Sequence, residues 1–263
     1  MANVIECLFN LLFVKKEQVS APIFSAYLDE QANRFDPKSR LVFPHSAHLN
    51  VFTHANSLPG HPVANVEFDV SWQALPYRFA AALDHSITLL ESTRRYGKED
   101  VTDLDKYFQE KEVFDLFSNT ISLAETGFFA LYMLAAKVNP VLLTGKYVKS
   151  LKQVDPSKSQ QELMLTGLAP SLEQLLKSTL ASDRFEHYNC IRNTLNHRRI
   201  MSRGYHYGGE RSGQFDLRYQ VQDKTTKTLK EFSLQVNKPS IFKVLLWQSK
   251  LLDALCICAL KIK

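Results

Sequence analysis

The four cysteines, Cys7, Cys190, Cys256 and Cys258, include no CxxC pair, so neither a dithiol redox centre nor a cysteine zinc site is written in the chain. Cys256 and Cys258 stand two apart in a helical pattern, where their side chains diverge, and read as core fillers. The "TGK" at Thr144 to Lys146 lacks the upstream glycine of a phosphate-binding P-loop, which leaves nucleoside triphosphate hydrolysis unsupported. No stretch reaches the roughly 18 uninterrupted apolar residues of a membrane span. The opening "MANVIECLFNLLFVKK" has no positive residue ahead of its apolar part, is interrupted by Glu6 and is followed by no cleavage site, unlike a signal peptide. The expectation is a soluble, cytoplasmic chain that makes no membrane contact. Internal repeats and low-complexity tracts are also missing.

What the chain does have is apolar content of 45% over 263 residues, enough for a substantial core. Its 32 Lys plus Arg against 27 Asp plus Glu leave a net charge of +5, a tilt toward an anionic partner. Residues 3 to 35 carry an uneven helical pattern that breaks at Pro37. Between Leu41 and Trp72 the texture alternates, most clearly in "VEFDVSW", with Val66, Phe68, Val70 and Trp72 on one side. Together with the turn residues "SLPGHP", this predicts an N-terminal β-hairpin over about 48 to 72. His45, His48, His54 and His61 crowd that region, but a regular strand sends 45 and 48 to opposite faces, so no metal site is expected there. No cofactor is expected either.

Helical patterns then dominate. Residues 75 to 96 place Ala80, Leu83, Ile87 and Leu90 on one stripe. Phe114, Phe117, Ile121, Ala124, Phe128, Leu131 and Ala135 form a seam of three- and four-residue steps ending before Pro140. The basic run "GKYVKSLKQVDPSKSQQ" reads as a loop or frayed helix. Pro170 opens a short helix to about Leu180, and Asp183 with Glu186 gives a capping-box-like start to a helix that stops at Gly204. The glycine-rich "GYHYGGERSG" follows, expected to be mobile. Alternation at Phe215, Leu217, Tyr219 and Val221, and again at Phe232, Leu234 and Val236, predicts a hairpin over about 214 to 236. Pro239 opens a last helix with Ile241, Leu245, Leu252, Leu255, Ala259 and Ile262 inward. The expected fold is mainly α, with a small antiparallel β-sheet built from the two hairpins.

The helix from Asp183 carries "YNCIRNTLNHRR", Tyr188 to Arg199. Phe185, Tyr188, Ile191 and Leu195 mark its apolar side. With roughly 100° per residue, Asn193 and His197 share a face, while Arg192 and His197 stand roughly 140° apart. An arginine beside a core stripe wants a carboxylate, so a structural ion pair with a solvated histidine is one reading. Asp84 and Glu125, both mid-helix, are candidates to pair with Arg192 or to orient His197. In the other reading these residues do chemistry: an imidazole titrating near about pH 6.5 shuttles a proton and a guanidinium grips phosphate. Downstream, Arg198, Arg199, Arg203, Tyr205, His206, Tyr207 and Arg211 mix charge and rings as an RNA track would, or as a solvated loop does.

"RNTLNH", Arg192 to His197, resembles the signature of the HEPN superfamily, helical-bundle proteins with an Arg, an adjacent polar residue and a His a few positions on. The resemblance implies a HEPN-like bundle over residues 73–263, with residues 1–72 as an extension of helix plus hairpin. The hairpin at 214–236 is an insertion relative to the family pattern. It further implies a metal-independent endoribonuclease of the toxin or defence kind, acting as a homodimer in which Arg192, Asn193 and His197 of two protomers line one cleft. Its partners would be RNA and an antitoxin protein. The family equally contains non-catalytic modules that bind RNA, a nucleotide or a protein, and that alternative stays open.

Overall fold

A computed structural model describes residues 21–35, 41–95, 101–196, 202–206, 210, 214–222 and 228–263. Among these the chain is mainly helical with one small antiparallel sheet. The helices are α1 (Ala21–Phe35), α2 (His45–Ser57), α3 (Pro62–Arg95), α4 (Asp103–Val138), α5 (Pro156–Thr166), α6 (Pro170–Leu180), α7 (Asp183–Asn196) and α8 (Lys238–Ala259). The strands are β1 (Ser202–Tyr205), β2 (Phe215–Gln222) and β3 (Leu229–Val236).

The frame is the long antiparallel pair α3 and α4. His61 N donates to the Lys137 carbonyl at one end (2.9 Å), and His85 meets Glu112 toward the other (2.7 Å). The turn between α2 and α3 is fixed by Gly60, whose φ of 151° favours glycine and whose Cα lies against the Lys137 backbone. Lys137 is itself buried, its Nζ donating to the Ala55 carbonyl (2.6 Å) and to Asn65 Oδ1 (2.5 Å). The α4 seam packs as its spacing predicts: Phe117, Ile121, Ala124, Phe128, Leu131 and Ala135 are buried. Gln248 of α8 donates to Thr120 of α4 at 2.6 Å inside the core. α4 is also long and apolar enough to cross a membrane by composition, but 72% of its most apolar window is buried within the fold.

The N-terminal hairpin over 48–72 does not form. These residues belong to α2, a turn and the first part of α3, so residues 48–72 add no strand to the sheet, and residues 72 and 73 both lie inside α3. The alternation misled because helix and strand periods overlap over four positions. Phe68 and Trp72, four apart, are fully buried, while Val66 and Val70 face outward. Pro76 sits inside α3 and cannot donate to the Trp72 carbonyl one turn back. His48 of α2 fills the gap: its Nε2 donates to Trp72 O (2.9 Å), its carbonyl accepts from Trp72 Nε1 (3.1 Å), and the two rings stack 5.1 Å apart.

The hairpin over 214–236 does form, as β2 and β3 in register from Phe215↔Val236 to Gln222↔Leu229. Its third strand is β1, antiparallel to β2 from Ser202↔Arg218 to Tyr205↔Phe215. Gly204 therefore lies in a strand and not at a helix end. Phe215, Leu217, Leu234 and Val236 bury one face of the sheet. The basic run after α4 forms two 3₁₀ turns, Pro140–Leu143 and Leu151–Gln153, and then α5. "TGK" wraps a carboxylate of its own chain: the Tyr147 N–H donates to buried Glu162 (2.9 Å), and Gly145 lies against that group.

Candidate functional site

α7 starts on Ser182, whose hydroxyl accepts from the Phe185 N–H (3.2 Å), one residue before the capping position read from the sequence. Phe185, Tyr188, Ile191 and Leu195 are buried, with the Tyr188 ring set against Phe117 of α4 and edge-on to Trp247 of α8. This packing fixes the rotation of α7 and so the direction of its polar residues. Arg192, beside the stripe, reaches α4: its Nη1 donates to Glu125 Oε2 at 2.9 Å. Of the two carboxylates considered, Glu125 is the partner, while Asp84 accepts from the Tyr27 hydroxyl of α1 (2.7 Å).

The pair is asymmetric, with the Arg192 side chain 20% exposed and that of Glu125 40%. Arg192 Nε is buried with no hydrogen-bond partner among the described residues, so the guanidinium is anchored at a single nitrogen and not clasped bidentately. Asn193, next along, is exposed. The candidate residues His197, Arg198, Arg199, Tyr207 and Arg211 lie outside the described residues.

The described members of the proposed RNA track turn inward. Arg203 donates from Nη1 to the Lys106 carbonyl (2.7 Å) and from Nη2 to Glu110 (2.8 Å) of α4, and its side chain is 8% exposed. Tyr205 donates to Gln109 Oε1 (3.1 Å) and packs its ring on Phe215. His206 Nε2 donates to Asp216 Oδ2 at 3.0 Å across the β1 and β2 pair. Arg203 and Tyr205 tie β1 to the first turns of α4, and His206, just past β1, ties the chain to β2.

Two further groupings escaped the sequence reading because their members come from elements far apart in the chain. One is a shallow cavity of about 580 Å³ where the first turns of α7 and α8 meet β3, lined by Asp183, Arg184, Glu186, His187, Ser240 and Lys243 among others. Burial lowers the His187 pKa from its ordinary value. The other is His85 of α3, which donates from Nδ1 to Glu112 (2.7 Å) with Asp115 at 3.9 Å. His45, His48 and His54 lie on α2 but bond separately: His45 to Ser25, His48 to Trp72 O and His54 to Ile262 O (2.8 Å). Among the described residues no three His, Cys, Asp or Glu side chains converge as metal ligands.

No family model, no curated protein and no solved structure matches the chain.

Proposed function

We propose that the chain is a metal-independent endoribonuclease of the HEPN type, with Arg192, Asn193 and His197 as its reacting residues. The observation that carries this reading is the setting of Arg192. Its guanidinium is anchored by one nitrogen to Glu125 at the edge of the α4 and α7 contact, beside the exposed Asn193. An arginine so held keeps a fixed orientation while retaining donors for phosphate oxygens.

In the reaction, His197 takes the proton of a ribose 2′-hydroxyl, whose oxygen attacks the adjacent phosphorus. The bond from phosphorus to the 5′-oxygen breaks, and that oxygen receives a proton from the His197 of a second protomer. The products are a 2′,3′-cyclic phosphate and a free 5′-hydroxyl. Arg192 stabilises the charge that builds on the phosphorane oxygens, and Asn193 orients the phosphate or the imidazole. Pairing of two protomers accounts for the roughly 140° between Arg192 and His197 on one helix. A toxin or defence role restrained by an antitoxin protein, in the cytoplasm, belongs to the same proposal. Its RNA track is narrower than the sequence suggested, since Arg203, Tyr205 and His206 serve the fold.

A second reading has its own support. The Arg192–Glu125 pair lies within one chain, as expected of a non-catalytic bundle that binds RNA, a nucleotide or a protein. The two separate in one experiment: a mixed RNA pool is incubated in EDTA with the wild-type protein, Arg192→Ala and His197→Ala, each with a melting curve. Cleavage lost in both variants at unchanged melting temperature supports the ribonuclease. Early melting of Arg192→Ala, with no wild-type cleavage, supports the binding module.

A further inference from the structure

Over its middle turns α4 carries a helix on each side. α3 meets it through Arg78, which donates to Asn119 (3.3 Å), and through His85, which meets Glu112 (2.7 Å). α7 meets it through the Tyr188 ring on Phe117 and through Arg192 on Glu125 (2.9 Å). At roughly 100° per residue, Asp115, Ser118, Ser122 and Glu125 fall within about 80° of one another, on the side left between these contacts. All four are half-buried, which makes them the floor of a groove banked by α3 and α7.

This groove is polar, and its hydrogen bonding is incomplete. Ser118 Oγ, Asn189 Oδ1 and Arg192 Nε are buried without a hydrogen-bond partner among the described residues. Ser118 and Asn189 each follow the Phe117–Tyr188 ring contact by one residue, and Asn189 stands roughly 60° from Arg192 on α7, so the three atoms belong to one stretch. Buried polar atoms are nearly always paired, and three orphans together mark a place where a ligand supplies the partners. They call for both a donor and an acceptor, since an amide oxygen only accepts, Nε only donates and a hydroxyl does either.

The floor carboxylates are already matched, Asp115 by Lys111 (3.1 Å) and Glu125 by Arg192. Arg78, on the opposite bank, is exposed and donates to a neutral amide, with no carboxylate partner among the described residues. From its level at Asn119 to Glu125 is about 9 Å along α4, or about two to three nucleotides of a stacked strand.

We propose that this groove seats the RNA strand leading to the reacting phosphate, with Arg78 on the phosphate of a nearby nucleotide and Asn189 Oδ1 accepting from a ribose 2′-hydroxyl. The assignment rests on the ribonuclease reading of Arg192 and names how that site holds its substrate. Ribose has the donor that deoxyribose lacks, so Asn189 distinguishes RNA from DNA, while Arg78 grips either backbone.

The test is fluorescence-anisotropy binding of a labelled single-stranded RNA, and of DNA of the same sequence, to the full-length chain in EDTA. A His197→Ala background keeps cleavage out of the reading. Arg78→Ala, Arg78→Lys and Asn189→Ala are compared in that background, each with a melting curve. RNA should bind more tightly than DNA. Arg78→Ala should weaken both about tenfold and lower the slope of log affinity against log salt by about 0.7 to 1, and Arg78→Lys should recover most of the loss. Asn189→Ala should weaken RNA alone. Unchanged binding in Arg78→Ala overturns the proposal, as does equal affinity of the parent for RNA and DNA, or equal loss of both in Asn189→Ala. Wild-type protein that binds RNA through Arg78 and Asn189 without cutting it would support the groove and refute the ribonuclease reading. Wild-type cleavage with binding indifferent to both residues would do the reverse.

Discussion

Replacing His48 with phenylalanine keeps a ring to stack on Trp72 but removes the imidazole N–H that the Trp72 carbonyl accepts. That carbonyl belongs to a fully buried residue, and Pro76 cannot supply the helical N–H that would otherwise satisfy it. An unsatisfied buried acceptor costs about 1–3 kcal/mol, which for a chain of this size corresponds to a fall of roughly 2–12 °C in melting temperature. The same geometry contains its own control. Pro76→Ala restores an N–H four residues after Trp72, and in that background His48→Phe should lose most of its effect. Melting curves of the two single variants and the double variant form a cycle whose coupling should be at least about 1 kcal/mol. An equal cost for His48→Phe in both backgrounds would refute the reasoning that the histidine compensates for the proline.

Gly60→Ala should destabilise, because the added Cβ would stand 1.9 Å from the Lys137 carbonyl oxygen at a φ of 151°; chemical denaturation checks this, and an unchanged midpoint would contradict it. Lys137→Met should cost about 1–3 kcal/mol by stripping Ala55 O and Asn65 of their shared donor, read as a lower melting temperature. Burial lowers the pKa values of His48 and His187. The unfolded chain therefore takes up their protons first, and stability that is full above about pH 6.5 should fall on acidification at up to about 1.4 kcal/mol per pH unit for each histidine. Melting temperature against pH reports this, and His48→Phe should flatten part of the slope. Glu125→Gln should leave RNA cleavage standing if the carboxylate only positions Arg192, and cleavage rates of the variant and the wild type decide it.

Much of the fold was legible where periodicity was long. The α4 seam, the inward face of α8 and the β2–β3 hairpin follow from apolar spacing alone, and α6 runs from Pro170 to Leu180 as its opening proline suggests. Residues 48–72 were misread because four alternating apolar residues fit both periods, and only the burial of Phe68 and Trp72 against α2 and α4 separates them. β1 was missed because its strand character comes from partners far away: Arg203 and Tyr205 are held by Lys106, Gln109 and Glu110. The same remoteness made the track residues look free in the sequence. At the candidate site the residue types were readable, and the choice of Glu125 over Asp84 was not, since it depends on the rotation of α7 set by Tyr188 and Trp247.

The central claim is tested most directly by the chemical ends of RNA incubated with the full-length protein in EDTA. The account predicts 2′,3′-cyclic phosphate and 5′-hydroxyl ends with the wild type and their loss with a folded His197→Ala variant. Intact RNA with the wild type, or the same ends produced by the variant, would contradict it.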